Sequence, residues 1–352
     1  MKPAIVVRKN PAEVFYKTYG RGPGQKIMID TYKVLMAEMY ELRLAMPEID
    51  TEVKHARKLG KKLRKAIELR YNALWEQVRI IEKHLDYGMV FTASLNDVNI
   101  IDDDTDWKEI EQMTGPFVVR AMASKKFIDH ATKSGKDYIF LENGYFGNYK
   151  NSTNIKSKKV WHRICINEVQ QENILKVPSD RWDDLVKHDM KLEWRGWRKN
   201  GSRILVVLPS PKPCEYYGQD VHQWREWVMT ELRKYTDREI VVREKSSRPD
   251  RVQQTIYQAL DDDIFCTVTY QSIAAVESVA YGIPAFTLAP SAAKPVSLQD
   301  LSKIETPYYP DEELVRKWCC SLAYGQFSMD EMLNGSAWKI VQDNKDREKI
   351  NY

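Results

Sequence analysis

Residues 268–286 carry the densest chemical pattern in the chain: Val268-Thr-Tyr-Gln271-Ser272-Ile273-Ala-Ala-Val-Glu277-Ser-Val-Ala-Tyr-Gly282-Ile-Pro284-Ala-Phe286. An apolar strand ends at a small hydroxyl residue, Ser272, whose side chain suits the cap of the helix that follows. The amino end of such a helix presents unpaired backbone N–H groups and the positive end of its dipole, and both suit a phosphate. Glu277 lies on the first turns, where a carboxylate can accept hydrogen bonds from ribose hydroxyls. Gly282 and Pro284 end the helix and start the next strand. The pattern also describes an ordinary capped helix of an α/β layer, and the residues by themselves keep both readings open.

A second polar turn stands at the end of the apolar run 138–141, as Glu142-Asn143-Gly144-Tyr145. Ligands of open α/β sheets gather outside the carboxyl ends of the strands, so this turn is a candidate site. Trp161-His162-Arg163 follows in the same half, although an isolated histidine is more often structural. The acidic run 102–106 has carboxylates that could hold a hard cation, or it is a solvated loop. Lys54, Arg57, Lys58, Lys61, Lys62, Arg64, Lys65 and Arg70 fall in one helical stretch and could meet phosphates. The same stretch also reads as a solvated helix face, with Ala56, Leu59, Leu63, Ile67 and Leu74 on its other side.

These groups need elements to position them. A strand is predicted over 2–8, a break at 19–24, two or three helices over 25–85 from apolar residues at every third and fourth position, and a short buried strand at 89–93. A βαβ unit follows, with strands at 117–121 and 138–141 around a helix at 124–134, which predicts a parallel sheet. Residues 182–203 break the periodicity and read as a connection between domains. Beyond them strands at 204–208, 239–243, 264–268 and 285–288 alternate with helices at 221–235, 251–260 and 272–281, the order of a doubly wound parallel sheet.

Placed on these elements, Ser272, Glu277, Gly282 and Pro284 resemble the donor half of GT-B glycosyltransferases, particularly those related to capsular-polysaccharide enzymes and to bacterial sialyl- and Kdo-transferases. The resemblance implies an α/β fold of two Rossmann-like domains facing a cleft, with a helix-rich N-terminal domain: residues 1–190 would bind the acceptor and residues 191–352 the sugar nucleotide. It implies that Ser272 and the helix end hold the donor phosphate, flanked by Gln271 and Ile273. It further implies that Glu142-Asn143-Gly144 matches an acidic-x-Gly motif whose carboxylate is the general base. Those families carry a His-Pro pair after the strand that here reads Ile240-Val-Val-Arg243-Glu-Lys245, and this chain has no histidine there. Arg243 and Lys245 can neutralise a diphosphate in its place. The segment Leu208-Pro-Ser210-Pro-Lys212-Pro also resembles proteins of tailed bacteriophages that look like members of this fold.

Sugar transfer needs the attacking hydroxyl deprotonated and the departing phosphate neutralised. Glu142 is the expected base, with His162 as the alternative. Arg243, Lys245 and Ser272 are expected at the phosphates, Glu277 at the ribose, and Ser210 and Lys212 as further donor contacts. Asn143, Tyr145, Arg163, Lys58, Lys61 and Lys62 are expected on the acceptor side. The donor is expected to be a sugar nucleotide, a UDP-sugar by preference, and the plan requires no metal.

The chain has 352 residues, room for two domains, with 43% hydrophobic and 30% charged residues and a net charge of +4. No apolar run reaches the roughly 18 residues of a membrane span, and no signal sequence is apparent, so a cytoplasmic protein is expected. Five scattered cysteines without CxxC spacing fit neither a zinc site nor a redox pair. A hydroxymethylated base in phage DNA is the preferred acceptor, from the basic helix, the pI of about 8.5 and the pairs Trp194-Arg195 and Trp197-Arg198. Two alternatives stand beside it: a glycan or lipid-linked acceptor, and a non-catalytic nucleic-acid-binding protein on the same fold.

Overall fold

Apolar strands covered by amphipathic helices build two mainly parallel layers in the computed structural model, which describes residues 2–6, 21–45, 54–82, 85–101, 105–147, 161–188, 192–244 and 255–352. The first layer contains β1 (Ala4–Val6), α1 (Arg21–Leu44), α2 (Lys54–Glu82), α3 (Tyr87–Phe91), β2 (Asn99–Ile101), α4 (Trp107–Gln112), β3 (Phe117–Arg120), α5 (Lys125–Lys133), β4 (Tyr138–Asn143) and β5 (Trp161–Ile166). β6 (Ile174–Leu175) and α6 (Asp180–His188) follow. The second layer contains β7 (Arg203–Val207), α7 (Pro211–Tyr216), α8 (Val221–Leu232), β8 (Ile240–Arg243), α9 (Ile256–Leu260), β9 (Ile264–Thr269), α10 (Ala274–Ala280) and β10 (Ala285–Thr287). The chain then runs through α11 (Glu312–Tyr324), β11 (Gln326–Ser328), α12 (Met329–Leu333), α13 (Ser336–Lys345) and β12 (Lys349–Ile350).

The first sheet has the order β11-β5-β4-β3-β1-β2, with β5 antiparallel to both of its neighbours. One face carries Ile5, Val118, Ile139, Leu141 and Ile164 under α1, α2, α3, α12 and α13. The other carries Val119, Tyr138 and Phe140 under α5. The second sheet, β10-β9-β7-β8, is parallel throughout. Trp224, Val228 and Leu232 of α8 cover one face, while Ile256 and Leu260 of α9 and Ala274 of α10 cover the other. The chain leaves β7 over one face and β9 over the other, so these adjacent strands flank the topological switch point.

Several elements differ from the sequence-based expectation. Residues 89–93 were expected as a strand and instead belong to α3 and its end. A short apolar run has no readable period, and here the Asp86 side chain decides by accepting from the N–H groups of Gly88 at 2.8 Å and Met89 at 3.1 Å. The break expected at 19–24 is overridden from Arg21, where α1 begins with Pro23 in its first turn, a place that costs no hydrogen bond. The expected connection at 182–203 holds most of α6. The chain also crosses the expected boundary at residue 190: β11 pairs with β5 in the first sheet and β12 with β6. The predicted helix at 251–260 is seen as α9, and its first residues lie outside the described residues.

Trp318 of α11 ties these parts together. It is fully buried, donates from Nε1 to the Ala292 carbonyl at 2.7 Å, and packs edge-on against Phe146 at 6.3 Å between ring centroids. Trp318→Ala should cost about 3–5 kcal/mol in urea unfolding. Replacing Trp227, which is 50% exposed, should cost no more than about 0.5 kcal/mol in the same measurement.

Candidate functional site

The carboxyl edge of the second sheet gathers most of the residues expected at a nucleotide. Ser210 and Ser272 follow the two strands that flank the switch point. The Ser272 hydroxyl accepts from the Ala274 N–H at 3.2 Å and its carbonyl accepts from Ala275 N–H at 3.1 Å, a side-chain turn that leads into α10; the N-cap itself is Ile273, not the expected Ser272, and it makes no side-chain capping bond. Ile273, half-buried, supplies the first helical backbone. Ser210 precedes α7 in extended conformation, with Pro211 at the first helical position and Lys212 exposed beside it.

Arg243 and Glu277 meet in one electrostatic field, although 34 positions separate them in sequence (277 − 243). Burial pushes the Glu277 carboxyl up to about 7, against the pull of the Arg243 guanidinium. Burial likewise holds Arg243 below its usual value, with Glu277 opposing. A guanidinium and a carboxyl both taken partly out of water at a strand end form a site able to hold an anion and a hydroxyl donor. Lys245, two residues past Arg243, lies outside the described residues.

Glu142 is half-buried at the carboxyl end of β4, where its Oε1 accepts from the Asn143 N–H at 3.1 Å. Cross-strand register sets Glu142 opposite Arg163 and Asn143 opposite His162. Adjacent strand residues face opposite sides of a sheet, so the two candidate bases point apart. His162 is 3% exposed and stacks on Tyr87 of α3 at 4.3 Å, with the Arg120 guanidinium over the same ring at 3.9 Å. Glu142 faces the side on which the second layer packs.

That packing is direct. α7 lies against the turn at 122–124 that follows β3, and Lys125 sits over the Tyr216 ring at 4.8 Å. Ala121, which bonds from its N–H to the Leu141 carbonyl at 2.9 Å, holds φ 55° and ψ 171°, a strained conformation for a residue with a Cβ. Strain of this kind beside Glu142 and α7 is what a built site tolerates.

Tyr145 and Arg163, expected to face an acceptor, are interior braces instead. The Tyr145 hydroxyl accepts from the Gln171 N–H at 2.9 Å, and its N–H donates to Gln326 Oε1 at 2.8 Å. Arg163 donates to the carbonyls of Asn143 at 2.9 Å and Val169 at 3.3 Å. Gln271 is also turned inward, its Nε2 donating to the Tyr217 hydroxyl at 3.1 Å. Lys58, Lys61 and Lys62 are exposed on α2, in the helical layer on the opposite face of the first sheet from Glu142. Burial and the adjacent Glu331 carboxylate raise Asp330 of α12, with Arg43 of α1 opposing. In the acidic run, Asp106 caps α4 by accepting from Lys108 N–H at 3.0 Å, and residues 102–104 lie outside the described residues. Among the described residues no group of three potential metal ligands comes together, and no helix is long and apolar enough to cross a membrane.

The residues missed in sequence are those of the turn at 167–172. Gln170 is 1% exposed and grips the second sheet, donating from Nε2 to the Gln271 carbonyl at 2.9 Å and accepting at Oε1 from the Ala292 N–H at 3.0 Å. Its partners are 101 and 122 residues away, and no local pattern announces them.

No protein-family model matches the chain, and no curated protein matches it. Among solved structures it is similar to Thermosulfurimonas dismutans KpsC, a beta Kdo 2,4 transferase, at 12% identity and a TM-score of 0.35, over 66% of this chain and 85% of that one. Overlap at that level leaves the site to be read from its own geometry.

An acid raised in the fold stabilises below its unfolded value, near 4.5 for Glu277, and that contribution is lost as pH rises through about 7. Glu277→Gln should therefore gain Tm relative to the parent between about pH 5 and about pH 8, measured by scanning calorimetry. Equal Tm differences at both pH values would show that Glu277 does not titrate in this window.

Proposed function

We propose that the chain is a glycosyltransferase of GT-B type that moves a sugar from a nucleotide diphosphate to a hydroxyl acceptor. The observation that carries this reading is the placement of Arg243 at the end of β8, of the Ser272 turn after β9, and of Glu277 on the first turn of α10 within the field of Arg243, in a sheet with a topological switch point. On this reading Arg243 and Lys245 neutralise the departing diphosphate, and the backbone around Ser272 and Ile273 adds N–H donors. Glu277 takes the ribose hydroxyls, with Ser210 and Lys212 closing the opposite wall. Glu142 is the base, because it faces the second layer while His162 is held in a ring stack on the other face. A UDP-sugar fits as donor, and cationic side chains rather than a metal carry the phosphate charge.

The acceptor favoured here is a hydroxymethylated base in DNA. Its support is compositional: the stretch 58–65 of α2 has four lysines, one arginine and no acid and suits a phosphate backbone, but it lies on the opposite face of the first sheet from Glu142 and does not bring a base to it. A glycan acceptor is the second reading, and a separate feature favours it. A cavity of about 320 Å³ beside Gly144 is lined by Trp161, Asp180, Arg181, Asp184, Ser328 and Glu331, with Arg181 paired to Glu331. Three carboxylates against one paired guanidinium suit a neutral, hydroxyl-rich ring on an indole better than a phosphate backbone.

Incubation with a panel of sugar nucleotides and hydroxymethylated duplex, followed by mass analysis of the nucleosides, reads donor, acceptor and activity together. Hexosyl or pentosyl adducts are expected; nucleotide release without any adduct points to the glycan, and no release from any donor refutes the transferase. Glu142→Gln should lower transfer by about 10²–10⁴-fold with donor binding kept. Arg243→Gln should weaken donor binding about tenfold, the loss of one charge-assisted contact.

A further inference from the structure

The two layers meet where α7 packs on the turn at 122–124, and again through the turn at 167–172, which belongs to the first layer and bonds to the second. Asn167 starts it at φ 60°, a left-handed conformation asparagine tolerates, with Nδ2 donating to Asp137 at 2.7 Å and Oδ1 accepting from Tyr138 N–H at 2.9 Å. At its far end Glu172 accepts from Lys294 at 3.0 Å. In between, Gln171 donates its N–H to the Tyr145 hydroxyl, three residues beyond Glu142, while Gln170 grips Gln271, the residue before Ser272.

Gln170 does work that no ladder bond can do at this point. The last bond between β9 and β10 runs from Leu288 N–H to the Thr269 carbonyl at 3.0 Å, after which the two chains diverge. A primary amide has a donor and an acceptor in one rigid plane, so it can take the Gln271 carbonyl and the Ala292 N–H together. Fully buried, the fork has no water to substitute for either bond.

We propose that Gln170 is a positioning residue for transfer, a role that rests on the glycosyltransferase reading: it sets the spacing between the candidate base and the donor. Arg243, Glu277 and Ser272 all belong to the second layer and keep their mutual geometry without it. Glu142 belongs to the first, and its distance from the sugar depends on the turn. Loss of the fork therefore affects the reaction more than the binding of the donor.

Gln170→Glu tests this with nearly unchanged volume: when ionised its carboxylate still accepts from Ala292 but has no N–H for the Gln271 carbonyl, so the assay is run at about pH 9, above the value to which burial raises the neighbouring Glu168. The expected result is a folded variant whose donor Kd, by calorimetry, stays within about threefold while kcat for transfer falls about tenfold to a hundredfold. Amide exchange at Gln171 and Glu172, in the turn itself, should rise in the same variant. Gln170→Leu, which removes both bonds, should show the same split if it folds; if it does not, the glutamate variant decides. Full transfer by Gln170→Glu, or a loss of Kd, kcat and Tm in proportion, overturns the assignment and leaves the transferase standing. A parent protein that releases nucleotide from no donor overturns both.

Discussion

One buried amide fork joins the parts of this molecule that matter for chemistry. Each sheet can form from its own strands, but neither by itself defines where the other lies. The Gln170 side chain, 1% exposed, supplies two hydrogen bonds across the divide, and the adjacent Gln171 N–H returns to Tyr145. A buried polar group that loses its partner costs about 1–3 kcal/mol, so such a contact holds one arrangement rather than a range of them. Trp318 and Phe146 fill the space around it with apolar contact, which supplies the affinity that the hydrogen bonds only direct.

The same constraint shapes the electrostatics. Parallel strands put all their carboxyl ends on one edge, and the crevice there lies between helices that leave in opposite directions. Arg243 and Glu277 end up in that crevice because strand order brings β8 beside β7 and helix α10 passes over the same face. Partial removal from water pushes both toward their neutral forms, and each counters the other. On the proposed reading an arriving diphosphate adds negative charge beside the guanidinium and favours its charged form.

Much of the fold was legible because period and punctuation are local. The parallel pairing of β3 with β4 and the strand-helix alternation from β7 to β10 follow from apolar runs, caps and glycines within a few residues. The polar turn at Ser272 before α10 was legible for the same reason, although the N-cap itself is Ile273. The site residues that were not legible owe their place to distant partners. Tyr145 and Arg163 look like surface groups after a polar turn, yet become braces once β11 and the turn at 167–172 close over them. Residues 89–93 read as a strand because a short, mostly apolar run has no period, and only the Asp86 cap chose the helix.

By itself, then, the amino-acid sequence determined which segments are strands and helices over most of the chain, and that carboxyl-end turns at Glu142 and Ser272 hold polar groups. Tertiary structure alone decided that β11 and β12 return to the first half, that Glu142 and His162 face opposite sides of a sheet, and that Gln170 bridges the two edges. The division has a physical cause. Backbone preference and capping act over a handful of residues, whereas register, burial and pairing depend on which distant surfaces exclude water together.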